Sequence, residues 1–140
     1  MLTIMLVEDD ANNVSLIEDV FAFDQVPARF VVVATGEEAL QSAVLLLPAL
    51  ILMDLRLPGI DGLETTQILK HNPLTKSIPV WAITAYAMPG DEERARAAGC
   101  CNYFTKPLSM RNFGDCLREF LRDLDEAESE QYASAQSADR

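Results

Sequence analysis

Basic residues are scarce in this 140-residue chain: 11 Lys and Arg stand against 22 Asp and Glu, a formal net charge of −11. A surface that binds nucleic acid sets clustered Lys and Arg against phosphate, so the shortage argues against a nucleic-acid partner. Long apolar runs are missing too. None approaches the roughly 20 residues that a membrane span needs, so no membrane insertion is expected. The first residues, Met1-Leu2-Thr3-Ile4, have no basic region and no cleavage-site pattern and do not read as a signal peptide. Cysteine is thin. Cys100, Cys101 and Cys116 are an odd count with neither framework nor metal-ligand spacing. Reduced thiols in a cytoplasm are the expectation, filling space rather than doing redox chemistry.

What is present is an alternation. Five short apolar runs, Thr3–Glu8, Arg29–Ala34, Leu50–Asp54, Pro79–Thr84 and Asn102–Thr105, are rich in Val, Ile, Leu and aromatics. The first four are nearly continuous, the pattern of strands buried on both faces of a parallel sheet. Between them lie helical spacings: Val14, Ile17 and Phe21; Leu40, Ala43, Val44 and Leu47; and, most clearly, Phe113, Leu117, Phe120, Leu121 and Leu124. Ser109 marks the start of that last helix. Gly36 and Gly99 sit where turns are needed, and Gly59 and Gly62 bracket a loop after the third strand.

Five strands alternating with five helices predict an α/β doubly wound fold, flavodoxin-like, with a five-stranded parallel sheet in the order 2-1-3-4-5. Residues 1–124 read as one domain. After Leu124 the apolar periodicity stops, and 125–140 read as an acidic, disordered tail. From Asp123 onward six acids face Arg140 alone, so this end carries −5 and the preceding residues −6. With no room for a second folded domain, regulation without an output domain of its own is the expectation.

In such sheets the functional site lies beyond the carboxyl ends of the strands, where strand order reverses, here between the first and third strands. Glu8-Asp9-Asp10 follows the first strand and Asp54 closes the third. Taken singly, Asp9 or Asp10 could cap a helix, and Asp54 could be an ordinary strand-end acid. Together they repel. At about 4 Å and an effective dielectric near 20, one such pair costs roughly 4 kcal/mol, which implies a cation. All-oxygen ligands with waters left over suit Mg²⁺. Lys106, at the end of the fifth strand, brings a positive charge to the same rim. A carboxylate nucleophile, a metal and a cation are the parts that phosphoryl transfer needs, and Asp54, Mg²⁺ and Lys106 supply them.

Four segments then resemble one family: Leu6-Val7-Glu8-Asp9-Asp10, Leu52 through Gly62, Ile83-Thr84-Ala85 and Tyr103-Phe104-Thr105-Lys106-Pro107. In this order, each at a strand end, they look like response-regulator receiver domains over about residues 2 to 122. The stretch from Thr84 to Glu93 and Gly99-Cys100 resemble stand-alone regulators of the DivK type and hybrid-kinase receivers.

The resemblance implies that Asp54 is the phospho-acceptor and that Asp9 and Asp54 bind Mg²⁺ directly. The Arg56 carbonyl would be a third ligand, and Glu8 would act mostly through water. Lys106 would pair with Asp54 or the incoming phosphoryl oxygens, and Thr84 would give its hydroxyl to the phosphoryl group. Tyr103 would be the aromatic that follows Thr84 inward, and Lys106-Pro107 a cis peptide. A histidine kinase or histidine phosphotransfer protein would be the donor. The output would be a downstream protein bound at the face built by the fourth helix, fifth strand and fifth helix. Such a protein is not a classical enzyme; it catalyses its own phosphorylation and dephosphorylation. Arg56 and Tyr86, two residues after the acceptor and the threonine, border the approach of hydrolytic water and imply a long-lived phosphorylated state.

Two other classes compete, an interaction module and a different enzyme or cofactor protein on the same architecture. A receiver-like interaction module that takes no phosphate would usually lack the acceptor, an acid or the lysine, and all are present. A flavodoxin would need a hydroxyl- and Gly-rich loop where this chain has Glu-Asp-Asp. A haloacid-dehalogenase-type phosphatase would need its nucleophile at the first strand, where Glu8 stands.

Overall fold

Each of the five apolar runs forms a strand, and the runs alternate with helices in the computed structural model, which describes residues 2–85 and 87–138. The elements are β1 (Leu2–Val7), α1 (Ala11–Phe23), β2 (Ala28–Val33), α2 (Gly36–Leu46) and β3 (Leu50–Asp54). They continue with α3 (Gly62–His71), β4 (Val80–Thr84), α4 (Asp91–Ala98), β5 (Asn102–Thr105) and α5 (Met110–Ala138). The sheet order is β2-β1-β3-β4-β5, all parallel, the flavodoxin-like arrangement expected. Leu6 stands opposite Val32 and Leu52, so β1 is flanked on both sides and strand order reverses around it.

The chain divides into two units, Met1–Leu108 and Ser109–Arg140. In the first, every residue of the central strands β3 and β4 is buried, which is why their sequences are continuous rather than alternating. Met5, Val7, Ile51, Met53, Val80 and Ala82 anchor the core. The edge strand β2 is only partly covered, with Val32 exposed.

Capping follows local chemistry. Asp10, Thr35 and Asp61 cap α1, α2 and α3, each side chain accepting from a backbone N–H in the first turn. Gly99 ends α4 at φ 119°, a conformation that costs other residues more.

Two expectations for α2 are corrected. Its buried face is Gly36, Ala39 and Ala43, whereas Val44 is exposed and Leu47 leaves the helix at φ 45°. Thr65 and Ile60 crowd that face at Gly36, where a Cβ would meet Thr65 Oγ1 at 2.2 Å. Gly36 is therefore the first residue of the helix rather than a turn.

The second unit is a single helix of 29 residues. Ser109 caps it, its Oγ accepting from Asn112 N at 3.2 Å. The helix does not stop where the apolar stripe does. Where the sequence reads as a disordered tail after Leu124, α5 continues to Ala138, with residues 125–131 exposed. Glu, Ala and Gln are strong helix formers, so propensity carries the helix past the end of its apolar stripe. Among the described residues, no helix is long and apolar enough to cross a membrane.

Candidate functional site

Three strand ends deliver charge to one place. Glu8 and Asp9 follow β1, Asp54 closes β3 beside it, and Lys106 follows β5. One carboxylate oxygen from each of Glu8, Asp9 and Asp54 lies within 4.8 Å of the others. Glu8 and Asp54 are buried at 3% and 5% exposure, and Asp9 faces solvent. The acidic triplet thus divides its work. Asp10 turns away to cap α1, accepting from Asn12 N at 2.8 Å, and Asp9 joins the cluster.

Lys106 is held by backbone before its side chain does anything. Its N–H donates to Thr84 O at 2.8 Å, continuing the β4–β5 ladder by one residue, and the Lys106–Pro107 peptide is cis. The ammonium sits 2.5 Å from Glu8 Oε1 and 3.3 Å from Asp54 Oδ2. Its nearer partner is Glu8, while Asp54, the carboxylate partner that the resemblance implies, is the second. The other oxygen of Asp54, Oδ1, accepts from Arg56 N at 3.0 Å. That bond fixes the acid against the start of the loop that carries the Arg56 carbonyl.

The electrostatics show too much negative charge for one lysine. Burial, then the hydrogen bond with Asp54, push Glu8 up from 4.5 to about 7, although Lys106 pulls the other way. Burial alone would lower Lys106, but its hydrogen bond to Glu8 and the charges of both acids outweigh this and raise it. Three carboxylates against one ammonium leave an excess that a divalent cation would neutralise, and the donor set is all oxygen.

Thr84 is buried at the end of β4, in register with Thr105. Tyr103 is half-buried on β5 opposite Ala82, which puts it on the sheet face shared by Ala82 and Thr84. Burial, then the charges of Asp91 and Glu92, raise its phenol. Arg56 lines a cavity of about 510 Å³ with Thr84, Asp61, Asp91 and Arg94. Tyr86 lies outside the described residues. Glu8, Asp9, Asp54 and Lys106 are thus brought together, with the Arg56 peptide and Thr84 bordering them.

One neighbour escaped sequence reasoning, which had treated Gly62 only as a loop boundary. The residue opens α3 directly against the backbone of Asp54, and its N–H donates to Leu55 O at 3.1 Å. The Asp61-Gly62 pair, a cap followed by a residue without a side chain, was the available signal.

Comparison with known proteins agrees with this geometry. The family described as response regulator receiver domain matches residues 4–118. The polar-differentiation response regulator DivK of Brucella ovis is 40% identical over 124 residues, covering 86% of this chain and 97% of that protein. Among solved structures, the receiver domain of a Pseudomonas aeruginosa sensor histidine kinase is 33% identical with a TM-score of 0.75. It covers 85% of this chain and 96% of its own, and holds a magnesium ion in its active-site cleft. A phosphorylated cyanobacterial phytochrome response regulator is 30% identical with a TM-score of 0.70, covering 84% of this chain and 89% of its own.

Proposed function

The chain belongs to the response regulator receiver domain family, and from that premise we propose that Asp54 is its phospho-acceptor. A phosphorylation-dependent switch in two-component signalling is the role of this family and of this chain. The observation that carries the assignment of the acceptor is the setting of Asp54. It is a buried carboxylate at the end of a central strand, 3.3 Å from an ammonium and clustered with two further acids.

The phosphoryl donor is a phosphohistidine on a histidine kinase or phosphotransfer protein, and the exchange takes place in the cytoplasm. An Asp54 oxygen forms a bond to phosphorus as the phosphorus–nitrogen bond of the donor breaks. The electron pair of that bond stays on the imidazole nitrogen. Asp54 Oδ1, already bound to the Arg56 N–H, is oriented by it, which leaves the other oxygen on the Lys106 side as the natural nucleophile. Lys106 offsets charge on the phosphoryl oxygens, as it offsets the carboxylates beforehand. The chain catalyses this step itself, with the donor as substrate.

Glu8, Asp9, Asp54 and the Arg56 carbonyl would hold Mg²⁺, which when bound neutralises charge on the transferring phosphoryl group. Once Asp54 carries phosphate, the Thr84 hydroxyl donates to a phosphoryl oxygen and Tyr103 follows into the space behind it. The surface around α4 and β5 then changes for a partner protein.

Acetyl phosphate with Mg²⁺ tests the reading. Intact-protein mass spectrometry should show one added phosphoryl group in wild type and none in Asp54→Asn. Undiminished labelling of the variant would sink the assignment.

A further inference from the structure

Gly62 stands closer to the acceptor than any side chain could. A Cβ built on it would lie 2.3 Å from the Asp54 carbonyl oxygen, 2.7 Å from Leu55 Cα and 3.0 Å from the Asp54 carbonyl carbon. All three contacts are backbone, so no side chain can turn aside to make room. The first turn of α3 is itself tied down. Thr66, wholly buried, donates its hydroxyl to Gly62 O at 2.8 Å, and Cys100 packs on that hydroxyl with its sulfur at 3.9 Å. The Gly62 N–H donates to Leu55 O, closing the loop that starts at Arg56.

We infer that Gly62 is a positioning residue for phosphotransfer, the stop against which the acceptor's own peptide is seated. The inference rests on Asp54 being the acceptor. A Cβ at 2.3 Å must retreat to at least about 3.0 Å, which moves the Asp54 carbonyl or the start of α3 by about 0.7 Å. Misplacing a reacting group by about 1 Å can cost roughly a hundredfold in rate. The Arg56 N–H, which orients Asp54 Oδ1, rides on the same displaced loop.

The test compares Gly62→Ala with Lys70→Met, a destabilising change remote from the acids, on full-length protein well below both melting temperatures. Phosphorylation by acetyl phosphate is followed at saturating donor and Mg²⁺, and the Arg56 amide resonance is recorded without metal. Gly62→Ala should react at least about tenfold more slowly than Lys70→Met, with its Arg56 amide displaced. Rates within about twofold of each other, or an unmoved amide, would overturn the inference. If Gly62→Ala does not fold, wild type decides. Its Gly62 and Arg56 amides should shift together as Mg²⁺ is titrated, and a stationary Gly62 counts against a seat. Absence of phosphorylation in wild type would instead overturn the acceptor assignment, leaving the metal-free amide shift to judge Gly62.

Discussion

Replacing Glu8 by glutamine should make the metal-free protein more stable. Glu8 is buried beside Asp54, and the rise from 4.5 to about 7 means that the folded state prefers it protonated. For a group raised on folding, the favourable contribution is complete below 4.5 and is lost as pH climbs through about 7. At about 1.4 kcal/mol per pH unit, the loss near pH 8 is about 3 kcal/mol. Glutamine stays neutral and avoids it, keeping an oxygen for the Lys106 ammonium. For a chain of this size, about 3 kcal/mol corresponds to a melting temperature higher by about 10 °C. Near pH 4.5 the two proteins should melt within about 2 °C of each other, because Glu8 is then mostly protonated. Mg²⁺ works in the opposite sense. At 100 times its dissociation constant it stabilises wild type by about 2.7 kcal/mol, and the variant, short of one carboxylate, gains less. Circular dichroism melts at both pH values, in chelator and in excess Mg²⁺, measure all four corners. A glutamine variant that melts below wild type in chelator near pH 8 would refute the reasoning. So would a gain of equal size at both pH values.

Truncation after Leu124 should leave the melting temperature and phosphorylation rate nearly unchanged, because residues 125–131 of α5 are exposed; differential scanning calorimetry and acetyl phosphate labelling check this. Lys70 donates to Ile78 O at 2.5 Å and Lys76 O at 3.2 Å, tying the end of α3 to the start of β4. Lys70→Met leaves those carbonyls unpaired and should cost about 1–3 kcal/mol in urea unfolding, with phosphorylation of the folded protein intact. A long-lived phosphoprotein is expected, since neither Arg56 nor Tyr86 offers a carboxylate or amide to orient water. Decay after donor removal should quicken in Arg56→Asn with Tyr86→Glu, and equal decay would show that neither side chain guards the path.

The parts of the fold that sequence carried were those where burial leaves few choices. Runs such as Leu50-Ile51-Leu52-Met53 can only be central strands, and acids at their ends can only gather at the reversal of strand order. The meeting of Glu8, Asp9, Asp54 and Lys106 was legible for that reason. Several features were not. Whether Asp9 or Asp10 capped α1 depended on a turn of backbone that both residues could serve. Lys106 leans toward Glu8 because the longer acid reaches it first, a matter of side-chain length within a shared pocket. The face of α2 was misread, since Ala39 and Ala43 pack more closely than Val44 and Leu47 ever could, and hydrophobicity alone ranks them the wrong way. Gly62 reads in the sequence only as a loop boundary because the contact it permits is with backbone, which no pattern of side chains records.

The ion pair at the centre of the site joins residues 98 positions apart, and Lys106 and Asp54 are separated by 52. A ribosome therefore releases the acceptor and its two companion acids well before the lysine that counters them. Until the fifth strand docks, a half-made chain holds a cluster of mutually repelling carboxylates and no ammonium. If Asp54 is the acceptor as proposed, competence to take phosphate arrives only with the completed sheet, and an unfinished or clipped molecule has nothing to signal with. Labelling by acetyl phosphate thereby doubles as an assay of whether folding has run to its end.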